Sequence, residues 1–181
     1  MSSKSGTDSP RLLAEGKFLR FLDADGWEYT QRKNISGIVG MMAYTDDGKV
    51  VLIEQYRPPI GSTVIEIPAG LVGDEPDRRS EAMAEAAGRE LLEETGYRAG
   101  RIEEVVAEAT VSAGTTGETM TLYRCTDLEK IDHGGGDDSE DIRVHLVELD
   151  SAETWLETMR RQGHKIDVKV YLAIWLARGP R

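Results

Sequence analysis

Cysteine is nearly absent from this chain of 181 residues: Cys125 stands alone, so no disulfide can form within it, and nothing calls for an oxidising compartment. Aromatic residues are sparse, at 6%. No apolar run approaches the roughly 20 residues that a bilayer-spanning helix needs, and the polar opening MSSKSGTDSP lacks the apolar stretch of a secretory leader. Basic side chains number 22 against 33 acidic ones, giving a net charge of −11 and no basic cluster to hold a nucleic-acid backbone. His133, His145 and His164 include no close pair, so the spacing offers no zinc site. The expectation is a soluble, cytoplasmic chain without membrane or nucleic-acid partners. Its length suits one compact domain, and 39% hydrophobic residues suffice for a core.

Residues 1–15 are polar and aperiodic and read as a flexible tail. From Lys17 the pattern turns strand-like. KFLRFL and WEYTQRK flank the turn residues Asp23 to Gly26, with Trp27 and Tyr29 sharing a face, which predicts a hairpin. Ile38 to Tyr44 and Val50 to Gln55 predict a second hairpin, ended by Pro58 and Pro59. A short strand at Thr63 to Ile67 leads through Pro68-Ala69-Gly70 into the charged loop LVGDEPDRR, where Arg78 and Arg79 either touch a phosphate or, as the more ordinary reading, face water. EAMAEAAGRELLEET predicts a helix over about 80–95, with Ser80 as N-cap and Gly96 at its C-terminal end. Strands follow at Ile102 to Val111, Thr119 to Cys125 and Ile142 to Leu149, then helices at about 151–162 and 167–178. This order argues for an α+β arrangement or a sandwich, not a doubly wound parallel sheet.

On the central helix Glu90, Glu93 and Glu94 stand three and four positions apart and share one side. Like charges so placed raise one another's pKa unless a cation sits among them. Oxygen donors suit a hard ion such as Mg²⁺ or Mn²⁺; a solvated glutamate face, paired through Arg89 with Glu85 or Glu93, is the plain alternative. Arg57 ends an apolar strand and suits bidentate contact with a diphosphate, or a surface ion pair. Ser112 to Glu118 form a glycine-rich turn whose N–H groups suit approach to a substrate, or an ordinary turn. The loop Asp137-Asp138-Ser139-Glu140-Asp141 suits a mobile general base, or a solvated acidic loop.

Glu81, seven residues, then RELLEETGY (Arg89 to Tyr97) resembles the box of the Nudix hydrolases, G-x5-E-x7-R-E-U-x-E-E-x-G-U with U apolar. The resemblance implies an α/β/α sandwich with a mixed central sheet and an N-terminal antiparallel β-hairpin region. It divides the chain into the tail at 1–15, an N-terminal β region at 16–36 exchanged between the subunits of a homodimer, and the Nudix domain at 37–181. It implies Glu90, Glu93 and Glu94 as metal ligands with the Ala69 carbonyl, two or three Mg²⁺ or Mn²⁺ ions per site, and Arg89 and Glu81 as their supports. One departure is plain: Gly70, which matches the box glycine, lies eleven positions before Glu81 instead of six, so five residues are inserted.

Outside the box, VLIEQYR, SAGTTGE and GGGDDSEDIRVHLV resemble the ADP-ribose pyrophosphatase and nucleoside-diphosphate-sugar hydrolase branch. That likeness implies hydrolysis of a nucleoside diphosphate sugar to a nucleoside monophosphate and a sugar phosphate. Catalysis would fall to Glu140 or Asp138 as base, with Arg89 and Glu93. Substrate contacts would fall to Arg57, Trp27, Arg32, Ser112, Gly114 and Glu118. Ala113 stands where ADP-ribose-specific members carry a proline, which keeps GDP-mannose-type or broader hydrolysis open, alongside a non-catalytic nucleotide-sugar-binding module.

Overall fold

Strands β1 (Arg11–Glu15), β2 (Leu19–Ala24) and β3 (Trp27–Arg32) form a three-stranded antiparallel sheet. The computed structural model describes residues 9–136 and 141–179. The expected hairpin is therefore present as β2 and β3, but the expectation of a tail as far as residue 15 is corrected at its end. Residues 11–15 pair with β2 in register Arg11↔Asp23 and Leu12↔Leu22, and ion pairs Arg11–Asp23 at 2.6 Å and Arg20–Glu15 at 2.9 Å close the ladder's two ends. Cross-strand pairing, not amphipathic period, orders this segment.

The second sheet contains β4 (Gly37–Tyr44), β5 (Lys49–Arg57), β6 (Ser62–Glu66), β7 (Ala69–Val72), β8 (Tyr97–Thr110), β9 (Thr119–Lys130), β10 (Ile142–Glu148) and β11 (Lys165–Ile166). Its order is β11-β6-β5-β4-β9-β8, with β10 also on β5 and β7 also on β4. The sheet is mixed, since β4 runs parallel to β9 and β11 parallel to β6. The predicted second hairpin holds only at its turn, where Ala43↔Val51 and Tyr44↔Val50 pair. Beyond it the strands part: the start of β4 takes β7 as partner, while the rest of β5 takes β6 and β10. This splay leaves a cleft between the first half of β4 and the far end of β5.

Helix α1 (Met83–Thr95) covers one face of the sheet; α2 (Ala152–Arg161) and α3 (Val168–Ala177) cover the other. Alternation along β4 sends Val39 and Met41 toward α1, where they meet Ala86, Leu91 and Cys125, and sends Met42 toward Leu156, Val170 and Ile174. Every residue from Ile38 to Tyr44 is buried, as a strand covered on both faces requires. The α/β/α sandwich with a mixed sheet is the observed fold. Helix α1 starts later than Ser80: Ala82 occupies the N-cap, and its N–H reaches Glu85 Oε2 at 3.4 Å. The extended backbone there lets Glu81 fold back on Arg89. Gly96 ends the helix at φ 72°, as its position predicts.

Candidate active site

The cleft has a volume of about 620 Å³, and its lining includes Arg57 at the end of β5, Glu66, Gly70 on β7, Glu90 on α1 and Glu118. Arg89 organises the helix side. Its Nε and Nη2 donate to the two oxygens of Glu81 at 2.9 and 3.0 Å, Nη2 also reaches the Leu71 carbonyl at 3.3 Å, and Nη1 donates to Glu90 at 2.9 Å and Glu93 at 3.0 Å. The cation that like-charged glutamates require is thus supplied by the chain itself. Arg89 stays charged well beyond its ordinary range through its bond to Glu81, and Glu81 in turn lies below the ordinary carboxylate range because of that bond. Burial pushes Glu90 up to about 7, against the pull of Arg89; the negative charges of Glu93 and Asp74 add to the rise.

Glu94 is 4% exposed, and its Oε2 accepts the Ala69 N–H at 3.0 Å. Among the described residues no three acidic, histidine or cysteine side chains converge to hold a metal ion. The reason is visible: Arg89 draws Glu90 and Glu93 to itself, while Glu94 turns toward β7. Even so, the lining fits hard cations, since its seven carboxylates outnumber its four cations, Arg32, Arg57, Arg89 and Lys169. An anionic diphosphate meets net repulsion there unless further positive charge enters with it.

The flanking residues divide into two groups. Arg57, Arg32 and Glu118 line the cleft. Arg57 Nε bonds Glu66 at 2.6 Å, and Glu118 Oε1 accepts the Arg32 N–H at 2.9 Å. Trp27, Ser112 and Gly114 are not part of the lining. Instead Trp27 and Gly114 join the N-terminal sheet to the turn at 112–118, and Ser112 braces that turn from within. Trp27 Nε1–H donates to the Gly114 carbonyl at 3.3 Å, the Thr30 N–H to the Thr115 carbonyl at 2.9 Å, and Ser112 Oγ lies 2.7 Å from Thr115 Oγ1. Asp138 and Glu140 lie outside the described residues. Arg78 does not simply face water: its Nε pairs with Glu75 at 2.9 Å, and its Nη1 is buried 3.6 Å from Glu93. Sequence reading passed over Lys169, which reaches the cleft from α3; no spacing links it to the box.

The NUDIX domain model matches residues 36–169. The chain belongs to the Nudix family. As a Nudix pyrophosphohydrolase it is 37% identical over 136 residues to the methanol dehydrogenase activator of Bacillus methanolicus, covering 74% of this chain and 70% of the relative. It is 34% identical over 125 residues to the ADP-ribose pyrophosphatase of Bacillus subtilis (strain 168), covering 67% of this chain and 63% of that one. It is 29% identical over 193 residues to the ADP-sugar pyrophosphatase of Mus musculus, covering 90% and 83%. A crystal structure of an ADP compounds hydrolase superposes with a TM-score of 0.63 at 21% identity, covering 82% of this chain and 80% of the other, and shares the fold.

Proposed function

We propose that this Nudix hydrolase cleaves the pyrophosphate bond of ADP-ribose or a related nucleoside diphosphate sugar, releasing a nucleoside monophosphate and a sugar phosphate. The observation that carries the reading is the acid-rich cleft itself, whose lining brings together Glu90, Glu93 and Glu94 with Arg32 and Arg57. Two or three Mg²⁺ or Mn²⁺ ions, held by those three glutamates and the Ala69 carbonyl, would supply charge neutralisation and a bound water of lowered pKa. The chain's own residues do the rest. Arg57, aimed by Glu66, binds phosphoryl oxygens, and Arg89, clamped by Glu81, keeps Glu90 and Glu93 on the cleft side. Glu140 or Asp138 takes the proton of the attacking water. Arg32 and Glu118 border the bound nucleotide.

The enzyme acts as a cytoplasmic homodimer in this reading, with Trp27, Ser112 and Gly114 meeting the base across the exchanged N-terminal region. Support comes from the exposed apolar side chains of that region, Leu12 and Trp27 on the sheet and Phe18 in the bend before β2. Ala113 in place of a proline favours a second reading, a pocket tolerant of several bases and sugars, GDP-mannose included. Assay of ADP-ribose, GDP-mannose and UDP-glucose with Mg²⁺ tests both readings. Metal-dependent release of nucleoside monophosphate from ADP-ribose supports the first, comparable rates on all three support the second, and binding without cleavage overturns both.

A further inference from the structure

One cation of the cleft, unlike Arg32, Arg57 and Arg89, was not marked by the sequence. Lys169 is the second residue of α3, and its side chain, 18% exposed, lines the cavity. The helix gains nothing from a cation there, because the first turn presents the positive end of the helix dipole. Asp167 makes the position tenable: its Oδ1 caps the helix by accepting the Lys169 N–H at 2.7 Å, and its Oδ2 holds Lys169 Nζ at 2.6 Å. The ammonium group is therefore aimed, not swept through solvent.

The fold brings this ammonium to the neighbourhood of Arg57. The Asp167 N–H donates to the Ile65 carbonyl of β6 at 2.9 Å, and β11 runs parallel to β6 just before it. The next residue of β6, Glu66, accepts from Arg57 Nε. Two cations from distant parts of the chain thus flank the same end of β6, each oriented by a carboxylate, in a cleft otherwise dominated by acid. We propose that Lys169 is a substrate-binding contact which, with Arg57, forms a cationic subsite for the phosphoryl oxygens of the substrate. This rests on the reading of the cleft as a pyrophosphate site.

The test compares Lys169→Gln and Lys169→Arg with the wild type, in the full chain and with melting curves to confirm folding. It reads KM and kcat for ADP-ribose, and Kd for inorganic pyrophosphate with Mg²⁺ by calorimetry. Lys169→Gln is expected to raise KM or Kd about tenfold, the scale of one charge-assisted contact, and to raise KM more than it lowers kcat. Lys169→Arg should restore most of the loss. A Lys169→Gln protein that matches the wild type in both readings overturns the subsite and leaves the proposed function standing. If the wild type cleaves no nucleoside diphosphate sugar, the proposed function fails and the pyrophosphate titration still decides on Lys169. A wild type that neither cleaves nor binds pyrophosphate overturns both.

Discussion

Gly70 and the carboxyl group of Glu90 occupy adjoining space so tightly that a β-carbon on residue 70 would lie 2.0 Å from Glu90 Cδ and 2.4 Å from its Oε1. Gly70 sits in extended strand β7 and has no positive φ, so room, not backbone conformation, demands glycine here. Gly70→Ala should drive Glu90 off the cleft wall. We expect a loss of about 1–3 kcal/mol in stability, the usual cost of overpacking, and a larger proportional loss of turnover, read by urea unfolding beside the ADP-ribose assay.

Glu94→Gln keeps the shape and retains an acceptor for the Ala69 N–H, so the protein should melt near the wild-type temperature. Removing the charge takes away several kcal/mol of metal-based stabilisation in the proposed mechanism, which corresponds to a fall in kcat of roughly a hundredfold or more. Equal kcat in variant and wild type would remove Glu94 from the site.

The Glu81–Arg89 clamp predicts a pH signature. Hydrogen bonding to Arg89 holds the folded-state pKa of Glu81 below 4.5, so the ionised form stabilises the fold. That contribution is complete above pH 4.5 and is lost as the pH falls through the depressed value. Glu81→Gln should therefore be less stable than wild type by about 2 kcal/mol at neutral pH, with the gap closing in acid. Denaturant unfolding at a series of pH values checks the sign, and a gap that widens in acid would contradict it.

Cys125 is fully buried against the α1 face of the sheet, and burial pushes its thiol up to about 12. The thiolate, the reactive form, is then scarce at pH 8. A thiol-directed reagent should leave the native protein unlabelled and modify one site per chain after unfolding. The same shift means that stability contributed by the neutral thiol is full below pH 9 and declines as the pH rises toward 12.

Sedimentation at micromolar concentration tests the homodimer. Leu12 is 53%, Phe18 64% and Trp27 62% exposed in the single chain, and covering them should make Phe18→Asp shift the protein toward monomer. A wild type that sediments as a monomer would remove the dimer from the proposed function.

The helix and its acids were legible because helical geometry is local: spacings of three and four put Glu90, Glu93 and Glu94 on one side whatever lies around them. Gly96 marked the helix end for the same reason. Ser80 did not mark its start, because it lies in a turn closed by the Glu81 N–H on the Arg78 carbonyl, and Ala82 is still extended. Strand β7 was hidden in AGLV, four residues of no distinctive pattern that become a strand only by pairing with β4. Residues 11–15 were hidden likewise, since a partner strand defines them.

By itself the sequence determined the family box, the central helix, the acid stripe and the absence of disulfide chemistry, all properties of neighbouring residues or of residue type. Tertiary structure alone decided that Arg57 meets Glu66, that Arg32 meets Glu118, and that Lys169 lines the same cleft as the glutamates of the box. The physical reason is one of range. Backbone hydrogen bonding within a helix repeats over a few residues, whereas the charge balance of a cleft is set by whichever distant segments the two cores press together.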